Sequence, residues 1–180
     1  MIAPVFRAAR LPDDAAMLVD LNTEYLRFVF DGLAAQHPVD LSDVFPGGDI
    51  RTYVADALPK IVGPGAPASA FYFVEIDGAV AGMGGVRTLR PGVAEMKRVY
   101  VRPEFRGTGL GRVLVERLIA DARSFGFHTM FLDTAPTLVA ARGLYTRLGF
   151  AAIPPYPEVE VPAPFHHLWV FMAMSLHAGE

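Results

Sequence analysis

Three glycines at alternate positions, Gly107, Gly109 and Gly111, stand between Arg106 and Arg112, with Thr108 and Leu110 interleaved. Such a run strips side chains from the backbone, tolerates positive φ angles and lets consecutive N–H groups converge on one point. The chemistry it suits is the holding of an anion, a pyrophosphate above all, because Arg106 adds a guanidinium to the backbone donors. Val99, Tyr100 and Val101 come before it, and their β-branched and aromatic side chains suit a strand that Pro103 then ends. Leu110, Val113, Leu114, Leu118, Ala122 and Phe125 come after it at helical spacing, the mark of a helix with one buried face. The unpaired amides and the dipole of that helix point back at the turn.

Two other phosphate-binding patterns do not fit. A P-loop needs Lys followed by Ser or Thr after its last glycine, and here Arg112-Val113 follows. A dinucleotide fingerprint needs a glycine three residues after its second, where this chain has Arg112 or Leu114. The histidines form no chelating pattern, since His166 and His167 are adjacent and point to opposite sides of a strand. No Gly-x-Ser-x-Gly elbow accompanies His37 or His128, so a hydrolase triad lacks its nucleophile. The chain has no cysteine, which removes disulfides, thiolate metal sites and any acyl-cysteine intermediate. Neither a metal nor a covalent acyl-enzyme is expected.

A second motif lies further along the chain, Ala141-x-x-Leu144-Tyr145-x-x-x-Gly149-Phe150, within a helix expected over Thr137–Phe150. Together with Arg106-x-x-Gly109-x-Gly111, in this order and at this separation, it resembles the GCN5-related N-acetyltransferase (GNAT) superfamily. The runs Glu95-Met96-Lys97-Arg98 and Leu132-Asp133-Thr134 are similar to a bacterial branch of it. The resemblance is clearest from Phe71 to Ile153. One departure is Leu138, where many members carry an Asn, so no cofactor contact of that Asn carries over.

The resemblance implies that the strand around Val93–Val101 splays from Thr129–Leu132 and that the pantetheine arm of acetyl-CoA lies in the gap against the backbone of Val99, Tyr100 and Val101. Arg106, Gly107, Thr108, Gly109, Leu110, Gly111 and Arg112 would hold its phosphates. Tyr145 matches the general acid of the family, and a phenol can protonate a departing thiolate; the alternative is a core tyrosine. An alkylammonium has a pKa of about 10, so an acceptor amine must first lose a proton. Glu95 is the leading base on the resemblance, acting through water. A charge pair with Lys97 and Arg98 is the competing role, and Asp133 is the runner-up as base. Glu24, Tyr25 and Tyr156 are candidates for the acceptor pocket.

Length and composition fit one catalytic domain over residues 1–180, with 52% hydrophobic residues to build its core. A net charge of −3 and the lack of a Lys/Arg run argue against a nucleic-acid partner. Apolar stretches are too short to span a bilayer, and Met1–Asp20 lacks signal-peptide features, so a cytoplasmic protein without a membrane partner is expected. A monomer or homodimer is expected, with Leu168–Met174, apolar on both faces, as the strand that would pair across a dimer.

The positioning elements follow from periodicity and turn chemistry. Pro4–Ala9 reads as a strand, and a helix opens at Pro12-Asp13-Asp14 and ends near Gly32. Residues 36–67, interrupted by prolines and glycines, read as a mobile surface arm with a helix at Ile50–Leu58. The five Asp, one Arg and one Lys between Asp31 and Lys60 favour a cationic acceptor if that arm borders the site. Ala70–Ile76 and Ala79–Leu89 form a hairpin across Asp77-Gly78, and Val93–Val101, Thr129–Leu132, Phe150–Ala152 and Leu168–Met174 supply further strands. The expected fold is α/β, a mixed, mostly antiparallel sheet of six to seven strands with helices on both faces. The activity implied is direct transfer of acetyl from acetyl-CoA to a small-molecule amine such as an amino acid or a polyamine. A peptide or protein acceptor and a non-catalytic acyl-CoA sensor are the alternatives.

Overall fold

Asp77 and Gly78 both take positive φ, 51° and 78°, which turns the chain tightly and joins two neighbouring strands of the sheet. In a computed structural model describing residues 3–177, those strands are β2 (Ser69–Ile76) and β3 (Ala79–Arg90). Residues 1–2 and 178–180, the ends of the expected 1–180 domain, lie outside the described residues. The remaining strands are β1 (Val5–Ala8), β4 (Val93–Val101), β5 (Thr129–Thr134), β6 (Ala151–Ile153) and β7 (Val170–Ser175). The helices are α1 (Ala15–Ala34), α2 (Ile50–Val62), α3 (Leu110–Ser124) and α4 (Val139–Arg147). They build a seven-stranded sheet in the order β1-β2-β3-β4-β5-β7-β6. Every neighbouring pair is antiparallel except β4–β5, whose parallel pairing needs the α3 crossover.

Each face of the sheet buries its own core. Leu114, Leu118 and Tyr145 pack with Met96 and Met130 on one face, and Leu18, Leu21, Val54 and Phe45 pack with Phe73 and Met83 on the other. Residues 36–67 belong to the second core, which corrects the reading of a surface arm: Phe45, Ile50, Val54 and Leu58 are all buried. Proline-rich composition marked irregular backbone there, but the apolar residues between the breaks still sought the core. Asp49 caps α2 by accepting from the N–H groups of Arg51 and Thr52, and the helix runs through Pro59 to Val62. Strand β7 sits between β5 and β6, so its two apolar faces are explained by burial within the sheet, and it offers no edge for a dimer. No helix among the described residues is long and apolar enough to cross a membrane.

One irregularity in the sheet matters most for function. Met83 pairs with Tyr100 and Gly85 pairs with Lys97, so one residue of β3 faces two of β4, Arg98 and Val99. Arg98 takes φ 59° at this bulge. Strict alternation would put Met96, Arg98 and Tyr100 on one face. Instead Val99 and Val101 join Met96 on the α3 side, while Tyr100 packs on the α1 side. The backbones close up beside the bulge, and a Cβ added at Gly82 would overlap the Tyr100 carbonyl oxygen. Gly82→Ala is expected to destabilise the fold by about 1–3 kcal/mol, the usual cost of overpacking, as measured by chemical denaturation.

Candidate active site

Strands β4 and β5 pair only at Val93–Thr129, Ala94–Met130 and Glu95–Phe131. Beyond Glu95 the strands part, and β5 continues against β7 alone. A groove of about 480 Å³ opens along this gap, lined by Val99, Tyr100 and Val101 on one side and by Leu144 and Tyr145 of α4 on the other. Its far end is the glycine run: Gly107, Gly109, Leu110, Gly111 and Arg112 all line it. Gly107 and Gly109 take φ of 77° and 86°, which no other residue type adopts cheaply. Gly109 occupies the cap position of α3 without a side-chain cap, so the first-turn amides of the helix stay open to a ligand. The Arg106 guanidinium carbon lies over the Phe28 ring, 4.2 Å from its centroid, and its Nε donates to the Val101 carbonyl at 2.9 Å. Arg112 borders the groove but is paired with Glu116 at 2.7 Å. Thr108 donates its hydroxyl to the Phe105 carbonyl.

Tyr145 is 6% exposed, and its ring meets Phe150 edge-on at 5.9 Å. Among the described residues its hydroxyl has no hydrogen-bond partner, and the side chain borders the groove. Burial first, then the neighbouring Tyr25 and Asp133, push its phenol well above the ordinary tyrosine range. It therefore stays protonated at any physiological pH, which suits a donor and not a base.

A second cavity, of about 170 Å³, lies on the α1 side of the sheet. Apolar residues of α1 and the 36–67 segment, among them Val29, Phe30, Phe45 and Tyr53, form most of its wall, and Trp169 adds to it. Its polar atoms come from Lys97, Arg98, Asp133 and Glu160. Tyr25 lines both this cavity and the cofactor-sized groove, so the two spaces meet at one side chain. The five aspartates between Asp31 and Lys60 line neither, which corrects the expectation of an acidic, cation-selecting arm. Two of them, Asp40 and Asp49, are occupied as local caps.

Glu95 is fully buried beneath the cavity. Its Oε2 accepts from Arg87 Nε and Nη2 at 2.9 and 2.7 Å, its Oε1 accepts from the Tyr156 hydroxyl at 2.8 Å, and Lys97 Nζ stands 3.6 Å away. Tyr156 is buried, its hydroxyl is held by Glu95, and it does not line the cavity. Glu24 accepts from Tyr100 and Arg102 and borders neither space. Tyr100, buried and bonded to that carboxylate, has its phenol pushed up to about 12.

Glu160 ties the segment between β6 and β7 to three elements, reaching Lys60 of α2, Arg87 of β3 and Lys97 of β4. Burial works against its charge, but Lys97, Lys60 and Arg87 outweigh it and hold the carboxyl well below its ordinary range. Burial also works against the Lys97 ammonium, and Asp133, Glu95 and Glu160 together reverse that and raise it. Asp133 accepts from Trp169 Nε1 at 2.9 Å and from Lys97 at 3.3 Å. Sequence reasoning missed Arg98, Glu160 and Trp169 as site residues. Glu158-Val159-Glu160 in a proline-rich segment was a usable signal, because isolated acids there need cationic partners; nothing local marked Arg98.

Comparison with known proteins places this site in a family. Residues 40–150 match the acetyltransferase (GNAT) family model, and the chain belongs to that family. An uncharacterized N-acetyltransferase of Schizosaccharomyces pombe is 46% identical over 72 residues, 40% of this chain and 44% of that protein. An IAA acetyltransferase of Azospirillum brasilense is 29% identical over 152 residues, 84% of this chain and 86% of that protein. Other curated relatives are matched over less of their length, 30% and 54%. The crystal structure of PaiA N-acetyltransferase from Thermoplasma acidophilum in complex with coenzyme A shares the fold at TM-score 0.65, with 12% identity, covering 97% of this chain and 99% of that one.

The charge lattice makes a stability prediction. A carboxyl depressed in the folded state stabilises above its unfolded value, here 4.5, and that contribution is lost as pH falls through the folded value. Glu160→Gln should therefore lower the melting temperature at pH 7, and its deficit against wild type should shrink as the pH is taken below 4.5.

Proposed function

We propose that this chain is an N-acetyltransferase that carries the acetyl group of acetyl-CoA directly to the primary amine of a small-molecule acceptor. The observation that supports this best is the meeting of two spaces at Tyr25. One is an open groove ending in helix-terminus amides, and the other is a small cavity of mixed polarity. A pantetheine arm would lie along the free edge of β4 at Val99–Val101, with the pyrophosphate on the amides of Gly107–Gly111 beside Arg106. The acceptor amine would enter from the cavity. Its nitrogen attacks the thioester carbonyl, a tetrahedral oxyanion forms against a β4 amide, and collapse expels the CoA thiolate. Tyr145 donates its proton to that thiolate, and the N–H proton that the former amine nitrogen sheds on becoming an amide returns to the phenolate through water. No acyl-cysteine can intervene, since the chain has no cysteine, and the transfer we propose is direct.

An ammonium acceptor must be deprotonated before attack. Of the two carboxylates considered for this, Asp133 lines the cavity while Glu95 lies below it with both oxygens engaged. The proton route we propose starts at Asp133, with a water between it and the amine, and Glu95 acts by holding Lys97 and Arg87 in place. The small volume of the cavity favours a small molecule over a peptide or protein chain.

Coenzyme A release, followed with a thiol dye against a panel of amines, tests the reading without background from the protein's own thiols. Turnover with at least one small amine is expected, and acetyl-CoA binding without any release would assign a binding protein instead. Tyr145→Phe should lower kcat by about 100-fold or more with acetyl-CoA affinity kept, the usual scale for a lost general acid. Because its phenol is raised, the wild-type rate should climb with pH as the amine deprotonates and show no alkaline fall up to pH ~10.

A further inference from the structure

We infer that Arg98 anchors a carboxylate carried by the acceptor, so that the substrate class is amino carboxylic acids with a small apolar remainder. The inference rests on the acetyl-transfer reading above and deepens it.

Arg98 is placed by the β4 bulge. Its φ of 59° lies where an L-residue other than glycine, asparagine or aspartate seldom goes, and such backbone persists only where its surroundings enforce it. The bulge puts two successive cations, Lys97 and Arg98, on the wall of one cavity. Their circumstances then differ. Lys97 faces Glu95, Asp133 and Glu160, and Arg87 nearby holds Glu95 and Glu160. Arg98 has no carboxylate partner among the described residues, and its Nη1 is buried without a hydrogen bond. A guanidinium cannot shed its charge, and a buried charge is tolerated when it is paired. The carboxylates of the cavity, Asp133 and Glu160, are already committed to Lys97, Trp169, Lys60 and Arg87. Arg98 is half-buried with that one nitrogen sealed from solvent, so a ligand carboxylate would supply the absent partner, and a planar fork with free donors matches it.

The rest of the cavity describes the rest of that ligand. Val29, Phe30, Phe45 and Trp169 offer apolar contact and no further free cation. The volume, about 170 Å³, is close to the roughly 150 Å³ known to hold a benzene-sized molecule. Asp133 stands on the same wall, and beside the bonds it accepts from Lys97 and Trp169 its carboxylate has lone pairs left for a ligand ammonium. A zwitterion with anion at Arg98 and ammonium toward Asp133 would keep its amine beside Tyr25, where the acetyl groove begins.

Matched pairs of ligands test this without altering the protein. Leucine against 3-methylbutylamine, phenylalanine against phenethylamine, and each amino acid against its amide would be titrated by calorimetry into the coenzyme A complex. The free amino acid of at least one pair should bind about 30-fold or more tightly than its uncharged counterpart, the scale expected for one desolvated charge pair. Arg98→Gln should erase that preference while leaving affinity for acetyl-CoA unchanged, and Arg98→Lys should keep part of it. Equal binding within every pair overturns the assignment, as does a preference that survives Arg98→Gln or a panel in which no amino acid binds. Amino acids that bind through Arg98 but release no coenzyme A would instead count against acetyl transfer and leave the carboxylate site standing.

Discussion

The last residue of β4 to pair with β5 is Glu95, and it is buried completely at the point where the strands part. An ionised carboxylate in that position has to be matched, since stripping a buried pair of one member typically costs about 3–5 kcal/mol. Arg87 from the neighbouring strand, Lys97 two residues on and Tyr156 from the segment after β6 all converge on it. A charge cluster thus sits at the root of the fork, and Lys97 carries it across the gap to Asp133 of β5. Everything that makes the site lies just beyond that fork: the free edge of β4, the groove, the bulge and the cavity wall.

Lys97 and Glu160 extend the cluster outward. Through them the segment between β6 and β7 is fastened to α2, β3 and β4, and the same segment carries Trp169 onto the cavity wall and onto Asp133. The side chains on the polar wall of the cavity are positioned by ion pairs whose members come from distant parts of the sequence. Such pairs add little net stability over an apolar core, and their value here is geometric. They fix the polar wall of a cavity whose other wall, from α1 and the 36–67 segment, is set by hydrophobic packing.

The two halves of the site differ in character. The groove is built from backbone: open amides, positive-φ glycines and a strand edge, with Arg106 laid on Phe28 as its main charged group. Backbone geometry of this kind depends on local conformation. The cavity is built from side chains brought together across the sheet, and its polarity changes with any of them.

The same division governs what could be read from the chain alone. The glycine run, the strand before it, the helix after it and Tyr145 were legible because each rests on local rules of turn, period and spacing. The Asp77-Gly78 hairpin and the bounds of β4 were legible for the same reason. The anchoring of residues 36–67 in the core was not, because proline and glycine mark broken backbone without saying where the residues between them pack. The interior place of β7 was hidden likewise, since strand order is decided by long-range pairing. Glu95 was visible as a carboxylate on the central strand, but its engagement by Arg87 and Tyr156 was invisible. Arg98 shows the limit most sharply: period-two alternation puts it on the α3 face, and one bulge, fixed only when β3 and β4 pair, moves it to the cavity. Sequence determined the glycine-rich end of the groove, because its shape is local backbone conformation. Tertiary structure decided the cavity on the α1 side, because burial and charge pairing are properties of residues that meet only in the fold.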